Sequence, residues 1–162
     1  MKIEGKVVSL ELAKRMKKLG WDYETERYWV MYSSEQGGNA TYFLISAEEL
    51  NTNRTHYIFP VPASDAIEIG ERLPIEIKID KEFLYFKATQ HEGKWLVGYD
   101  SSDILTTMRL IKAHKSQSEV FGKMWCYLKE KKLIETQTDK KDPYVVIHKQ
   151  LLQTLMDNVR KS

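Results

Sequence analysis

"IEIKIDKEFLYFKATQHEGKWLVGYD", residues 75–100, decides the fold class. Its first six residues alternate apolar and charged side chains, the period of a strand with one buried face. "EFLYFKA" follows after a tight turn at Asp80-Lys81, and "KWLVGYD" follows "QHEG". Three strands joined by such short turns form an antiparallel meander with one wet face.

Outward from this meander the periodicity changes. Upstream, Asp65 and Glu68 form a capping-box pattern that opens a short helix, "DAIEIGERL", stopped by Pro74. "THYIFPVP", Thr55 to Pro62, is extended but broken by prolines, which suits a sheet edge. "RYWVMY" (Arg27–Tyr32) and "ATYFLIS" (Ala40–Ser46) flank "SSEQGGN" and predict a hairpin. Ser9 caps a helix with Leu12, Ala13, Met16 and Leu19 on one side, and Gly20 is placed to end it in a left-handed conformation.

Downstream, "ILTTMRLIKAHK" is ambiguous, since Ile104, Met108 and Ile111 fit a helix while Met108 and Leu110 alternate as in a strand; a strand is expected. Ser116 and Glu119 make a second capping-box pattern before the helix "SEVFGKMWCYLKEKKLI". "YVVIH" predicts a last strand and "KQLLQTLMDNVR" a terminal amphipathic helix, with Leu151, Leu152, Leu155 and Val159 on one side. The expectation is a single α+β domain over residues 1–162: an antiparallel meander sheet with amphipathic helices packed on one face.

Composition bounds the setting. Twenty-five basic against twenty-three acidic residues leave a net charge of +2, so no global field draws the chain to nucleic acid or anionic lipid. The single cysteine, Cys126, excludes an intramolecular disulfide and fits a reducing compartment. With no apolar window long enough for a signal peptide or a spanning helix, the expected location is the cytoplasm, without membrane contact.

The order of several segments, "SLELAKRMKKLG", "RYW", "IGERLP", "KWLVGYD" and "GKMWCYLKEKKLI", resembles a family of small uncharacterised proteins encoded by bacteriophages, prophages and mobile elements. The resemblance spans Ser9 to about Ile134 and leaves residues 135–162 as a strand-helix extension. It implies provenance, with no catalytic residue or cofactor to carry over.

Candidate sites divide by chemistry. The stretch from Glu119 to His148 has the outline of the reading helix and wing of a winged-helix domain. Its expected exposed stripe of Glu119, Lys123, Cys126 and Glu130, however, sets two carboxylates against a polyanion. Glu135, Asp139 and Asp142 outnumber Lys140 and Lys141 in the wing, and upstream the sequence predicts mainly strands. A core-packing helix is the favoured alternative.

Lys14, Arg15, Lys17 and Lys18 on the first helix are the other basic feature, candidate contacts for nucleic acid or a solvated face. Tyr28, Tyr32, Tyr42 and Tyr57 are candidates for an exposed aromatic surface, since alternation sends half of a strand's side chains to each face. His56, His91, His114 and His148 lack metal-ligand spacing, and Cys126 sits in a helix interior, where nothing lowers its thiol pKa. "QGGN" lacks the following Gly-Lys-Ser/Thr of a phosphate loop, and Glu48-Glu49 point apart. No metal or cofactor is implied.

The favoured reading is therefore a non-catalytic accessory module that binds an unidentified protein partner, with homodimerisation as a further expectation. Nucleic-acid binding is the alternative. A small hydrolase is third, and would need Asp22, Glu24, His56, His91, Tyr99 and Asp100 to converge.

Overall fold

The structure is a computed structural model that describes residues 5–32, 41–101 and 110–134. The expected "SSEQGGN" turn, the beginning of "ILTTMRLIKAHK", the wing, "YVVIH" and the terminal helix lie outside the described residues. Within them the fold is α+β with antiparallel sheets.

Helix α1 (Leu10–Lys18) begins as expected, with the Ser9 side chain accepting from the Leu12 N–H. It ends in a Schellman motif: Gly20 takes φ 96°, its N–H donates to Lys17 O, and the Trp21 N–H donates to Met16 O. This reversal turns Trp21 into the core, where it is 2% exposed. Its Nε1 donates to Ser64 Oγ at 3.0 Å, and its ring meets that of Trp125 edge-on at 4.9 Å. Chain reversal and core anchoring are one event here.

Strands β1 (Arg27–Tyr32) and β2 (Phe43–Ser46) pair antiparallel, and β3 (Tyr57–Pro62) joins the other side of β1. The order β2-β1-β3 leaves the proline-bearing strand at an edge, where its missing N–H groups break no ladder. The β1–β3 register shifts between Trp29 and Met31, and there Phe59 adopts φ 52° with a ring 64% exposed. Between β2 and β3 lies α2 (Ala47–Thr52), a helix not anticipated from sequence, capped by Ser46 Oγ accepting from the Glu49 N–H.

The capping box of α3 (Ala66–Gly70) forms in full: Asp65 accepts from the Ile67 and Glu68 N–H groups, while Glu68 accepts from the Asp65 N–H at 2.8 Å. The Glu68 carboxylate also accepts from Thr25 Oγ1 and the Glu26 N–H. One carboxylate thereby joins the loop before β1 to the start of α3.

The meander is β4 (Glu76–Ile79), β5 (Glu82–His91), β6 (Lys94–Asp100) and β7 (Leu110–His114), in that order across a second sheet. Two-residue turns at Asp80-Lys81 (φ 49° and 75°) and Glu92-Gly93 (φ 49° and 72°) join the first three strands, the positive φ values that suit tight hairpins. Leu84, Val97 and Tyr99 face inward, each at most 1% exposed. The strands thus divide between two sheets, with the meander forming one and the aromatic hairpin with β3 the other.

Against the inner side lies α4 (Gln117–Glu130), which contacts α1, α3, β6 and β7. Its buried residues run round the helix: Ser118, Val120, Phe121, Gly122, Met124, Trp125, Cys126 and Leu128. At Gly122 α4 runs tightly against α1 and the segment before it, since a β-carbon there would stand 2.8 Å from Leu12 Cδ2 and 3.1 Å from both Met16 Sδ and Val8 Cγ1. The second capping box forms only in half. Ser116 Oγ accepts from the Glu119 N–H, but the Glu119 carboxylate accepts the Ser9 N–H of the other helix at 2.5 Å. Ser116 N–H turns instead to His114 Nδ1.

Candidate functional site

The basic run on α1 is largely occupied within the chain. Arg15 makes a bidentate contact with Glu130, Nη2 lying 2.7 and 2.8 Å from the two carboxylate oxygens, and this hydrogen bonding raises the guanidinium pKa. Lys17 Nζ donates to Pro60 O at 2.7 Å. Lys14 Nζ stands over the Tyr42 ring, 4.2 Å from its centroid. Lys18 is exposed and has no such partner among the described residues. Lys14, Arg15 and Lys17 thereby tie α1 to α4 and to the first sheet, rather than forming the purely solvated face or the nucleic-acid contact expected from sequence.

The four tyrosines do not share one surface. Tyr28, Val30 and Tyr32 alternate on one face of β1, opposite Ile45, Phe43 and Tyr57 on the neighbouring strands. Val30, Ile45 and Tyr57 are buried there as a small second core, with Tyr28, Phe43 and Leu50 of α2 packed against it. The rings of Tyr32 and Phe43 approach to 4.4 Å. Tyr57 OH donates to Glu49 Oε1 at 2.6 Å, and that bond pushes its pKa up to about 12. Tyr32 remains 44% exposed, whereas Tyr57 is 9% exposed. Tyr42 packs against the main core instead. The missed α2 explains the difference, because it brings Leu50 onto a face that strand alternation alone leaves open.

Cys126 corrects another expectation. Placed on the exposed stripe of the late helix by sequence, it is 0% exposed, because α4 is enclosed by other helices as well as by strands. Burial pushes its thiol up to about 12, so at neutral pH it holds its proton and is a poor nucleophile.

Nor do Tyr99, Asp100 and His91, three of the dispersed acid-base candidates, meet. Tyr99 and Asp100 are neighbours on β6 and so project to opposite faces. The Tyr99 hydroxyl donates to Pro74 O and is fully buried, while Asp100 binds Lys87 Nζ at 2.9 Å on the other side. His91 is six residues along β5 from Tyr85, the partner of Asp100, a separation of roughly 20 Å at strand rise. Among the described residues no group of three or more His, Cys, Asp or Glu is arranged to hold a metal ion. No helix among them is long and apolar enough to cross a membrane.

A surface not singled out by sequence is the outer face of the four-stranded sheet. Register places Phe83, Tyr85, Lys87 and Thr89 of β5 on it, with Lys78 of β4, Leu96 of β6 and Ile111 of β7. Phe83, Tyr85 and Ile111 are 46%, 37% and 47% exposed. Lys78 Nζ lies 5.3 Å from the centre of the Phe83 ring. The alternation in "IEIKIDKEFLYF" carries the signal, since it places Phe83 and Tyr85 opposite the inward Leu84 and Phe86. Comparison of the chain with protein-family models, with curated proteins and with solved structures finds no match.

Proposed function

We propose that the chain is a phage- or mobile-element-type accessory protein that acts by binding another protein, without chemistry of its own, through the outer face of its four-stranded sheet. The observation that carries this reading is the exposure of Phe83, Tyr85 and Ile111 on that one face, while the opposite face fills the core. Full burial of one such side chain is worth about 1.5–3 kcal/mol, and aromatic anchors of this kind commonly dominate interfaces. Lys78 beside Phe83, and Lys87, held by the buried Asp100, supply a polar border. The near balance of charge and the internal engagement of Lys14, Arg15 and Lys17 favour a protein partner over a polyanion.

The test is a double variant, Phe83→Asp with Tyr85→Asp, compared with wild type in cross-linked complexes from the producing cells and then in a binary titration with the purified partner. The expected result is a partner whose affinity falls at least tenfold in the variant while circular dichroism and Tm are unchanged. A partner bound equally by both proteins defeats the reading. Salt-sensitive recovery of nucleic acid, lost on neutralising Lys14, Lys17 and Lys18, transfers it to the alternative.

A further inference from the structure

The β5 strand outruns its neighbour. β4 pairs with it only as far as Tyr85, and a last bond runs from the Phe86 N–H to Ile75 O. From Lys87 to His91, among the described residues only β6 accompanies it, and every one of these residues is exposed. The Phe86 bond fixes the parity: alternate residues along β5 turn their backbone groups away from β6, and beyond Phe86 these are Ala88 and Gln90. Their N–H and C=O groups have no partner on that edge among the described residues. Edges of this kind template strand pairing unless prolines, bulges or a covering segment block them. β3 carries Pro60, Pro62 and a register shift, whereas residues 87–91, "KATQH", carry no proline and pair with β6 without a register break.

We infer that this edge pairs with the same edge of a second copy of the chain, β5 against β5, antiparallel about a two-fold axis at Thr89. The register closes on itself. With Thr89 opposite Thr89 of the second copy, Ala88 falls opposite Gln90 in both directions, and these are the residues whose backbone groups point outward. Each Ala88–Gln90 pair exchanges two hydrogen bonds, and Thr89 against Thr89 is a favourable cross-strand pair between them. Lys87 then faces His91 of the second copy, with its charge already met by Asp100 at 2.9 Å. The product is one sheet with six strands across its centre, ordered β7-β6-β5-β5-β6-β7. This inference does not depend on the partner-binding surface proposed above, which lies nearer Phe83 and Tyr85.

So small a contact gives weak association, with Kd on the order of 10–1000 µM. Sedimentation velocity over a concentration series tests it with the full chain. Wild type is expected to show a reversible monomer-dimer equilibrium, and Ala88→Pro or Gln90→Pro to weaken it at least tenfold. Either proline removes an N–H that points away from β6, so the intramolecular ladder is preserved. A second measurement does not rely on those variants folding. Under mild oxidation Thr89→Cys is expected to form a disulfide-linked dimer much faster than Gln90→Cys, and buried Cys126 offers no competing thiol. A wild-type chain that stays monomeric at about 1 mM, folded proline variants that dimerise as wild type does, or equal cross-linking of the two cysteine variants would overturn the inference.

Discussion

Substitution of Gly122 by alanine tests the packing that organises the main core. Two opposed effects set its size. Alanine in place of a mid-helix glycine favours the helix by about 1 kcal/mol. The added methyl group, however, arrives 2.8 Å from Leu12 Cδ2 and 3.1 Å from Met16 Sδ and Val8 Cγ1. The ends of Leu12 and Met16 can turn aside. The γ-carbon of Val8 has no such freedom, since the residue is branched at its β-carbon and 0% exposed. Overpacking of this kind costs about 1–3 kcal/mol, so Gly122→Ala is expected to destabilise by about 1 kcal/mol net. In a Leu12→Ala background the closest obstacle is gone and part of a cavity receives the new methyl, so the same substitution should become neutral or stabilising by about 0.5 kcal/mol. Urea unfolding followed by tryptophan fluorescence reads both values as midpoint shifts at constant slope. If Gly122→Ala alone gains the full helix-propensity increment, with no coupling to Leu12, the close approach of α1 and α4 is wrong.

Other expectations follow from single residues. Cys126 should resist thiol reagents in the native state and react on unfolding. Its unfolded thiol titrates near 9 and its folded thiol near 12, so between these values the unfolded chain alone loses a proton. Stability should therefore be fully present below pH 9 and then fall by up to about 1.4 kcal/mol per pH unit as pH rises, a slope that Cys126→Ala reduces in urea titrations from pH 8 to 10.5. Glu68→Ala strips the acceptor from Thr25, Glu26 and Asp65 together and should cost about 2–3 kcal/mol, seen as a lowered urea midpoint; a change below about 0.5 kcal/mol would show that the linkage is idle. Lys132 closes α4 at φ 55°, with the Leu133 N–H donating to Leu128 O, so Lys132→Gly relieves a left-handed side chain and should stabilise by about 0.5–1 kcal/mol in the same assay.

Local signals were legible wherever the decisive partners are near in sequence. Ser9, Gly20, the Asp65-Glu68 box and the turn at Asp80-Lys81 each depend on neighbours within a few positions, and each forms as expected. α2 is too short for its period to show. Long-range partners were hidden for a different reason: Arg15 finds Glu130 and Ser9 finds Glu119 across more than a hundred residues, and composition does not specify such pairs. Cys126 was misplaced because Glu119, Lys123 and Glu130 do mark a polar stripe on α4, while Cys126 beside them is covered by elements distant in sequence. The outer-face aromatics were visible as alternation, yet their exposure depends on what covers the sheet, and one chain's pattern does not state that.

The contact between Ser9 and Glu119 also has a bearing on synthesis. Until Glu119 has been made, the Ser9 N–H lacks its carboxylate, Arg15 lacks Glu130, and Leu12 has no Gly122 to pack against. At roughly 5–20 residues per second the ribosome takes about 6 to 22 s to travel from one helix to the other. For that interval the nascent first helix lacks the cover that α4 gives Leu12 and Met16 and has only earlier elements such as β3 to pack against, leaving apolar surface on which a chaperone can act before the chain's own later segment replaces it.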